Sequence, residues 1–250
     1  MFAEERQTQI LADLHRAGRV EVLHLAQCYG VSEHTIRRDL IALERRGYLQ
    51  KTHGGAVALD TARLNWQERL ATLPGAKDQI GRLAASLIQA GQTVMLDASS
   101  TTLALARHLS ARPLTVITNS LDIAAVFDQM PEVELVVTGG VWDQDARAFR
   151  GEATREIISR YRADWAVIGT CALHPASGVS VSDESDAAVK QAMVAVSLRT
   201  AVLADHSKRD QVAAYVVLAP TQVTMVVTDE PWPELEALGT EILVSGSTQD

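Results

Sequence analysis

Val31-Ser32-Glu33-His34-Thr35-Ile36-Arg37-Arg38-Asp39-Leu40 reads as the start of a helix with two unlike faces. Ser32 is placed to cap it, because its hydroxyl can accept a hydrogen bond from a first-turn amide that lacks a partner within the helix. Ile36, Leu40 and Leu43 then recur at helical spacing and make an apolar stripe, while His34, Thr35, Arg37, Arg38 and Asp39 fall largely outside it. The stripe is for docking and the other face is free to read. Upstream, Val22, Leu25 and Ala26 predict a short preceding helix, and Gly30 allows the tight turn Tyr29-Gly30-Val31 between the two. Such a pair is a helix-turn-helix, whose second helix enters the major groove with its N-terminal side chains toward base edges. His34, Thr35 and Arg37 hold those places, next to the cap Ser32. Arg38, Arg45, Arg46 and Lys51 suit phosphate contacts, which add affinity without reading sequence.

One helix of a small bundle with a solvated basic face would show the same stripe. The stretch after the helix argues for the nucleic-acid reading: residues 47–57 predict an extended arm, a turn at Gly54-Gly55 and a second short strand, together the wing of a winged helix. His53, at the tip of that wing, is counted with the DNA-contacting residues. Ile10, Leu11 and Leu14 mark a first helix from Glu4 to Arg16 that Gly18 ends, and Val20-Glu21-Val22 could add a strand to the wing.

Composition sets the frame. At 250 residues, 47% hydrophobic and 22% charged, the chain has the length for two globular domains. It has no run of about 20 apolar residues to span a membrane and no signal peptide at its start, so it is expected to be cytoplasmic, with no membrane partner. Cys28 and Cys171 have no ligand spacing and read as two buried thiols. The net charge of −8 is unevenly spread: residues 1–60 carry eight basic and eight acidic side chains, whereas the remainder carries 15 basic and 23 acidic. An acidic body repels DNA except where the head docks, which predicts modest, salt-sensitive non-specific affinity.

The expected division is a head over residues 1–57, a linker over 58–75 and a second domain over 76–250. Pro74-Gly75 is read as breaking any continuing helix, although Leu64, Trp66 and Leu70 predict that part of the linker packs as a helix on the second domain. Beyond Lys77, apolar strand runs such as 93–97, 114–118, 133–138, 165–168 and 200–204 alternate with helical stretches. The fold class is therefore α/β, a mostly parallel sheet covered on both faces. Ligands of such sheets bind beyond the carboxyl ends of the strands. Those ends are polar here: Asp97-Ala98-Ser99-Ser100-Thr101-Thr102, Thr118-Asn119-Ser120, Thr138-Gly139-Gly140 and Asp205-His206-Ser207-Lys208. Any one of them alone is an ordinary helix cap or turn. Together, hydroxyls and amides at helix starts with a nearby lysine favour a phosphate. His108, His174 and His206 are scattered, so no metal is expected, nor any cofactor.

Thr35-Ile36-Arg37-Arg38-Asp39-Leu40, then Leu43-Glu44 and His53-Gly54-Gly55-Ala56, resembles the N-terminal signature of the DeoR/GlpR-type bacterial transcriptional regulators. The polar loops resemble that family's Asp-x-Gly-Thr-Thr, Thr-Asn-Ser, Gly-Gly and Asp-x-Ser-Lys segments, and Lys77 and Lys190 fall where it usually has lysines, so the likeness covers nearly the full chain. Ser99 departs from the family's glycine; a Cβ there narrows the backbone choices and could alter how closely a phosphate approaches. The resemblance implies a winged helix-turn-helix on operator DNA fused to a sugar-phosphate sensor like ribose-5-phosphate isomerase. The expected function is a repressor of carbohydrate metabolism genes that responds to a phosphorylated sugar. Its phosphate is expected on Ser99, Ser100, Thr101 and Thr102 with Lys208 nearby, and its hydroxyls on Asp97, Asn119 and Glu184. Gly139, Gly140, Lys190 and Asp205 complete the expected effector site. Palindromic operators require paired heads, hence a homo-oligomer, dimer or higher. The alternative is a sugar-phosphate isomerase-like enzyme. Such an isomerase needs a carboxylate base in a Gly-Ala-Asp segment after a central strand, and this chain has Ile168-Gly169-Thr170-Cys171 there. No catalytic residue is assigned; Asp183, Glu184 and Asp186 read as caps of a helix start.

Overall fold

A computed structural model describes residues 2–246, which form two compact units, 2–60 and 61–246. In the first unit, α1 (Ala3–Ala17), α2 (Val22–Tyr29) and α3 (Glu33–Arg45) pack on a three-stranded antiparallel sheet of β1 (Arg19–Glu21), β2 (Leu49–Thr52) and β3 (Gly55–Ala58), in the order β1-β3-β2. Ile10, Leu14, Leu25, Ile36, Leu40, Leu43, Leu49 and Ala56 form its core. The reason is the spacing: each helix puts its apolar residues on one side and can hide them only against the other two. Gly30 takes φ +64 between α2 and α3. The hairpin turns at His53-Gly54, while Gly55 is already the first residue of β3, paired to Thr52 and to Glu21. A Cβ on Gly55 would lie 1.8 Å from the Val20 carbonyl oxygen, so the sheet closes only over a glycine.

Two expectations are corrected in this unit. Cys28 is exposed, because α2 turns Val22, Leu25 and Ala26 inward and leaves Cys28 on the far side, its Sγ 3.5 Å from Nε2 of His24. Asp39 is buried, not on the reading face: it accepts from Arg6 Nε at 2.6 Å and from Gln7 Nε2 at 3.1 Å, which ties α3 to α1.

The second unit is built on seven parallel strands in the order β15-β14-β12-β9-β4-β5-β6. They are β4 (Thr93–Leu96), β5 (Leu114–Thr118), β6 (Val133–Val137), β9 (Ala163–Gly169), β12 (Ser197–Leu203), β14 (Met225–Thr228) and β15 (Glu241–Val244). Val94 and Leu96 point to one buried layer and Met95 to the other, which is why the strands read as unbroken apolar runs. The intervening helices are α5 (Pro74–Ala85), α6 (Ser100–His108), α7 (Leu121–Phe127), α8 (Glu152–Ser159), α9 (Glu184–Ala195) and α10 (Pro233–Glu236). A hairpin of β7 (Val141–Asp143) and β8 (Ala148–Arg150) and a small antiparallel sheet of β10 (Ala172–His174), β11 (Gly178–Val181) and β13 (Tyr215–Leu218) complete it.

Pro74 starts α5 at its first helical position, where its missing amide costs nothing. The stretch before it is structured too. A 3-10 turn at Thr61–Arg63 leads into α4 (Trp66–Ala71), closed by a reciprocal cap between Asn65 and Glu68, and Trp66 is buried in the main core.

Strand order locates the site. From β4 the chain runs outward through β5 and β6, then crosses back so that β9 flanks β4 on its other side, with β12, β14 and β15 beyond. The connections after β4 and after β9 therefore leave in opposite directions and open a crevice at the carboxyl ends of those two strands.

Candidate functional site

On the head, Ser32 caps α3 by accepting the Thr35 amide at 3.1 Å, and its Oγ lies 2.9 Å from the Thr35 hydroxyl. His34, Arg37, Arg38, Arg45, Arg46 and His53 are exposed, and Thr35 and Lys51 are half-buried. Arg37 pairs with Glu33 one turn back at 2.7 Å, a contact between solvated groups that a phosphate or base edge can replace at little cost. Arg46 lies over the Tyr48 ring at 4.9 Å, and the Lys51 amide donates to Glu44 Oε1 at 2.9 Å. The expected DNA-contacting residues are thus brought onto α3, its C-terminal end and the wing.

In the second unit the residues at the carboxyl ends of β4, β9 and β12 converge. A cavity of about 20 Å³ is lined by Ser99, Ser100, Thr101, Gly169, Lys190 and Lys208, with Arg69 and Thr61 on its outer side. Ser99 caps α6, accepting the Thr102 amide at 3.0 Å in an ordinary extended conformation, φ −114. The backbone therefore does not need the family's glycine there. The glycine that matters is Gly169, where a Cβ would lie 2.4 Å from Cβ of Ser99. The first-turn amides of α6, which have no acceptor within the helix, belong to the same wall.

Behind that wall sits a charged layer. Asp97 is 1% exposed and accepts three hydrogen bonds, from the Thr102 hydroxyl at 2.6 Å, from the Gly169 amide at 3.1 Å and from the Lys190 ammonium. These bonds tie it to the start of α6, to the end of β9 and to α9. Burial works against the charge on Lys190, but Asp186, at 3.5 Å, and Asp97 hold its ammonium above the usual lysine range. Burial likewise opposes charge on Asp205, yet Lys208, then Lys77 and the Ser207 hydroxyl, hold its carboxyl below the usual range. Lys77 is the contrary case. Burial pulls it down to about 8 against the attraction of Asp205, and its Nζ donates to the carbonyls of Arg69 and Thr72, the latter at 2.7 Å.

The other expected effector residues lie elsewhere. Asn119 is buried after β5, its amide donating to the Phe149 carbonyl at 3.0 Å and its Oδ1 without a partner. Gly139 and Gly140 follow β6 and receive the Thr154 side chain, whose hydroxyl donates to Gly139 O at 2.6 Å. Glu184 lines a separate open depression with Arg155 and Tyr215. None of these four is in the cavity lining: Asn119 follows β5, Gly139 and Gly140 follow β6, and Glu184 is the first residue of α9, whose later residues Asp186 and Lys190 do reach it. Conversely Arg69, Thr61, Thr170 and Cys171 line the cavity without having been expected. No local motif marks them; only the folding back of residues 61–71 brings the first two there. Thr170 donates its hydroxyl toward the carbonyls of Ala172 and Ser180, at 2.8 and 3.0 Å, and the residue after it, where a Gly-Ala-Asp segment would carry its acid, is Cys171. Among the described residues no cluster of His, Cys, Asp and Glu could hold a metal ion, and no helix is long and apolar enough to cross a membrane.

A head that exposes a capped basic helix beside a wing, joined to a parallel sheet with an amide- and lysine-lined crevice, defines a DNA-binding regulator with a sensor domain. The chain belongs to the DeoR family of transcriptional regulators: residues 6–62 match the DeoR-like helix-turn-helix domain and residues 74–230 the DeoR C terminal sensor domain. It is 36% identical to the HTH-type transcriptional repressor GlcR of Bacillus subtilis (strain 168), over 92% of this chain and 89% of that one. It is 31% identical to the transcriptional repressor AccR of Agrobacterium fabrum (90% and 89%) and 30% to the L-fucose operon activator of Haemophilus influenzae (92% and 93%). Ribose 5-phosphate isomerase A of Methanocaldococcus jannaschii shows a partial likeness, with 17% identity, TM-score 0.38 and 53% of each chain covered, which implies nothing about activity.

Proposed function

We propose that this chain is a repressor of carbohydrate metabolism genes whose grip on operator DNA is set by a phosphorylated sugar at the crossing between β4 and β9. The observation that carries the effector half is the convergence of Ser99, Ser100, Thr101, Lys190 and Lys208, from three elements distant in sequence, on one cavity. Amides and hydroxyls at a helix start, with buried ammonium groups beside them, are chemistry for a phosphate. Ser32, His34, Thr35, Arg37, Arg38, Arg45, Arg46, Lys51 and His53 carry the operator contacts, two heads being needed for a palindromic site and hence a homo-oligomer. Asp97, Thr102 and Asp205 act from behind, by holding the donors in place. The repressing sign follows from the relatives named repressors, GlcR and AccR.

Catalysis is the weaker reading. Proton transfer between carbons needs a free carboxylate at the substrate. Here Gly169 is followed by Thr170 and Cys171, neither of them an acid, and the two carboxylates at the cavity, Asp186 in its lining and the buried Asp97 behind it, both pair with Lys190.

The test is a gel shift on DNA upstream of the protein's own gene, with and without a panel of sugar phosphates. One member of the panel is expected to change the shift, and Lys208→Ala to abolish that change while leaving DNA binding intact. An unaltered response in Lys208→Ala removes that lysine from the site, and isomerase turnover with no shift on any DNA reverses the choice.

A further inference from the structure

The cavity is too small for what the site is built to hold. About 20 Å³ admits a single water, whereas a phosphate has five heavy atoms and a sugar phosphate several times more. A wall must therefore move. The inner walls cannot: β4, β9, the start of α6 and the Asp97–Lys190 pair belong to the buried centre of the sheet. The outer wall is different. It is the segment from Thr61 to Asn65, whose residues line the crevice; it is held at its start by the Thr61 hydroxyl, within reach of the Cys171 carbonyl and of Gln211 Oε1 at 3.2 Å, and by Ala62, which packs against the core.

On the other side of Arg69 a second chamber, about 170 Å³, continues the first. It is lined by Leu64 and Asn65 of the same segment and by Asp143, Arg150 and Asp183; Arg69, Cys171 and Asp186 border both chambers. Its chemistry is that of a polyol site. Arg150 holds Asp143 and Asp183 at 2.7 and 3.0 Å, carboxylates that can accept from hydroxyls, and Nε of Arg69 and of Arg150 are buried without a hydrogen-bond partner. The segment also has a fixed end. Trp66 is buried in the core at 4% exposure, and Lys77 grips the last carbonyls of α4, so α4 stays and the residues before it can swing.

We propose that residues 61–65 are a gate that swings about Trp66 to admit a phosphorylated sugar into both chambers, phosphate inward and hydroxyls among Asp143, Arg150 and Asp183. The gate is the stretch of chain by which the head, ending at Asp60, is attached. Occupying the crevice must then move the residues that lead into the DNA-binding unit, so ligand and operator bias one element from its two ends. This rests on the proposed effector site and extends it.

The test uses the full chain and inorganic phosphate as probe. Phosphate binding is followed by calorimetry, and tryptic cleavage at Arg63-Leu64, within the gate, by mass spectrometry. Phosphate is expected to speed that cleavage several-fold. Thr61→Val, which removes that hydroxyl, is expected to raise the cleavage rate without phosphate and to tighten phosphate binding by about five-fold, the equivalent of one hydrogen bond of about 1 kcal/mol. Phosphate that binds while cleavage at Arg63 is unchanged or slowed, or a Thr61→Val chain that binds no tighter, overturns the gate and leaves the effector site standing. No phosphate binding in either chain overturns the site and the gate with it.

Discussion

The head and the sensor use the same residue types in opposite ways. On α3 and the wing, arginines and histidines stand in solvent, and the partners they have are surface groups, as Glu33 is for Arg37 and the half-buried Tyr48 for Arg46. Around the crevice, Lys77, Lys190, Lys208, Asp97 and Asp205 are 6% exposed or less; Lys190 is bonded to Asp97, Lys77 to backbone carbonyls and Asp205 to Ser207, and Lys208 lies close enough to Asp205 to stabilise its charge. The difference follows from the ligands. A DNA duplex is large and brings its own counterions, so charges that meet it must be free to exchange salt for phosphate. A small anion must be taken out of water, which only a preorganised, already desolvated set of donors makes favourable.

Substitutions can break or sharpen that contrast. The largest effect is expected from Lys190→Met, which strands Asp97 and Asp186 without their cation: about 3–5 kcal/mol of sensor stability, read by denaturant unfolding. A loss below 1 kcal/mol would place this lysine with the solvated charges of the head.

Lys77 sharpens the contrast through pH. Its ordinary value of 10.5 falls to about 8 in the fold, so below about 8 both states carry the proton and the folded chain bears the cost of the buried charge. Between about 8 and 10.5 the folded state has released that proton and the unfolded state has not, so stability is expected to rise with pH, by about 3 kcal/mol at most. Lys77→Met should flatten that rise; an equal slope in both proteins means that Lys77 keeps its proton throughout.

On the head the expected effects are smaller. Arg37→Ala should cost about 1–3 kcal/mol of operator binding and relax base preference if it reads a guanine, measured by titration on a set of single-base operator variants. Uniform weakening on all variants makes it a phosphate contact. Ser32→Ala, which removes the α3 cap, should cost about 1 kcal/mol in thermal unfolding of the head.

The head was nearly all legible beforehand, because its signals are local. A cap at Ser32, a stripe at Ile36, Leu40 and Leu43 and a turn at Gly30 each depend on residues a few positions apart. Where local reading failed, the partner came from another element: Asp39 has a polar position on α3, but Arg6 of α1 buries it. In the sensor, the polar loops at the strand ends were visible as a set. Which of them meet was not, since that depends on the order of strands across the sheet. Asn119, Gly139 and Gly140 carry the same loop chemistry as Ser99–Thr101 but follow β5 and β6 rather than β4, and none of them lines the cavity. Arg69 and Thr61 lie in a stretch read as linker.

The sequence by itself determined that a reading helix with a wing precedes an α/β sheet whose strand ends are rich in hydroxyls and lysines, because period, caps and turn residues are written within a few positions of one another. Only the tertiary structure decided that β9 returns to lie beside β4, that Asp97 is consumed by Lys190, and that the chain leaving the head closes the crevice. Those are pairings across 70 to 110 residues, set by which apolar faces bury best together rather than by any local pattern.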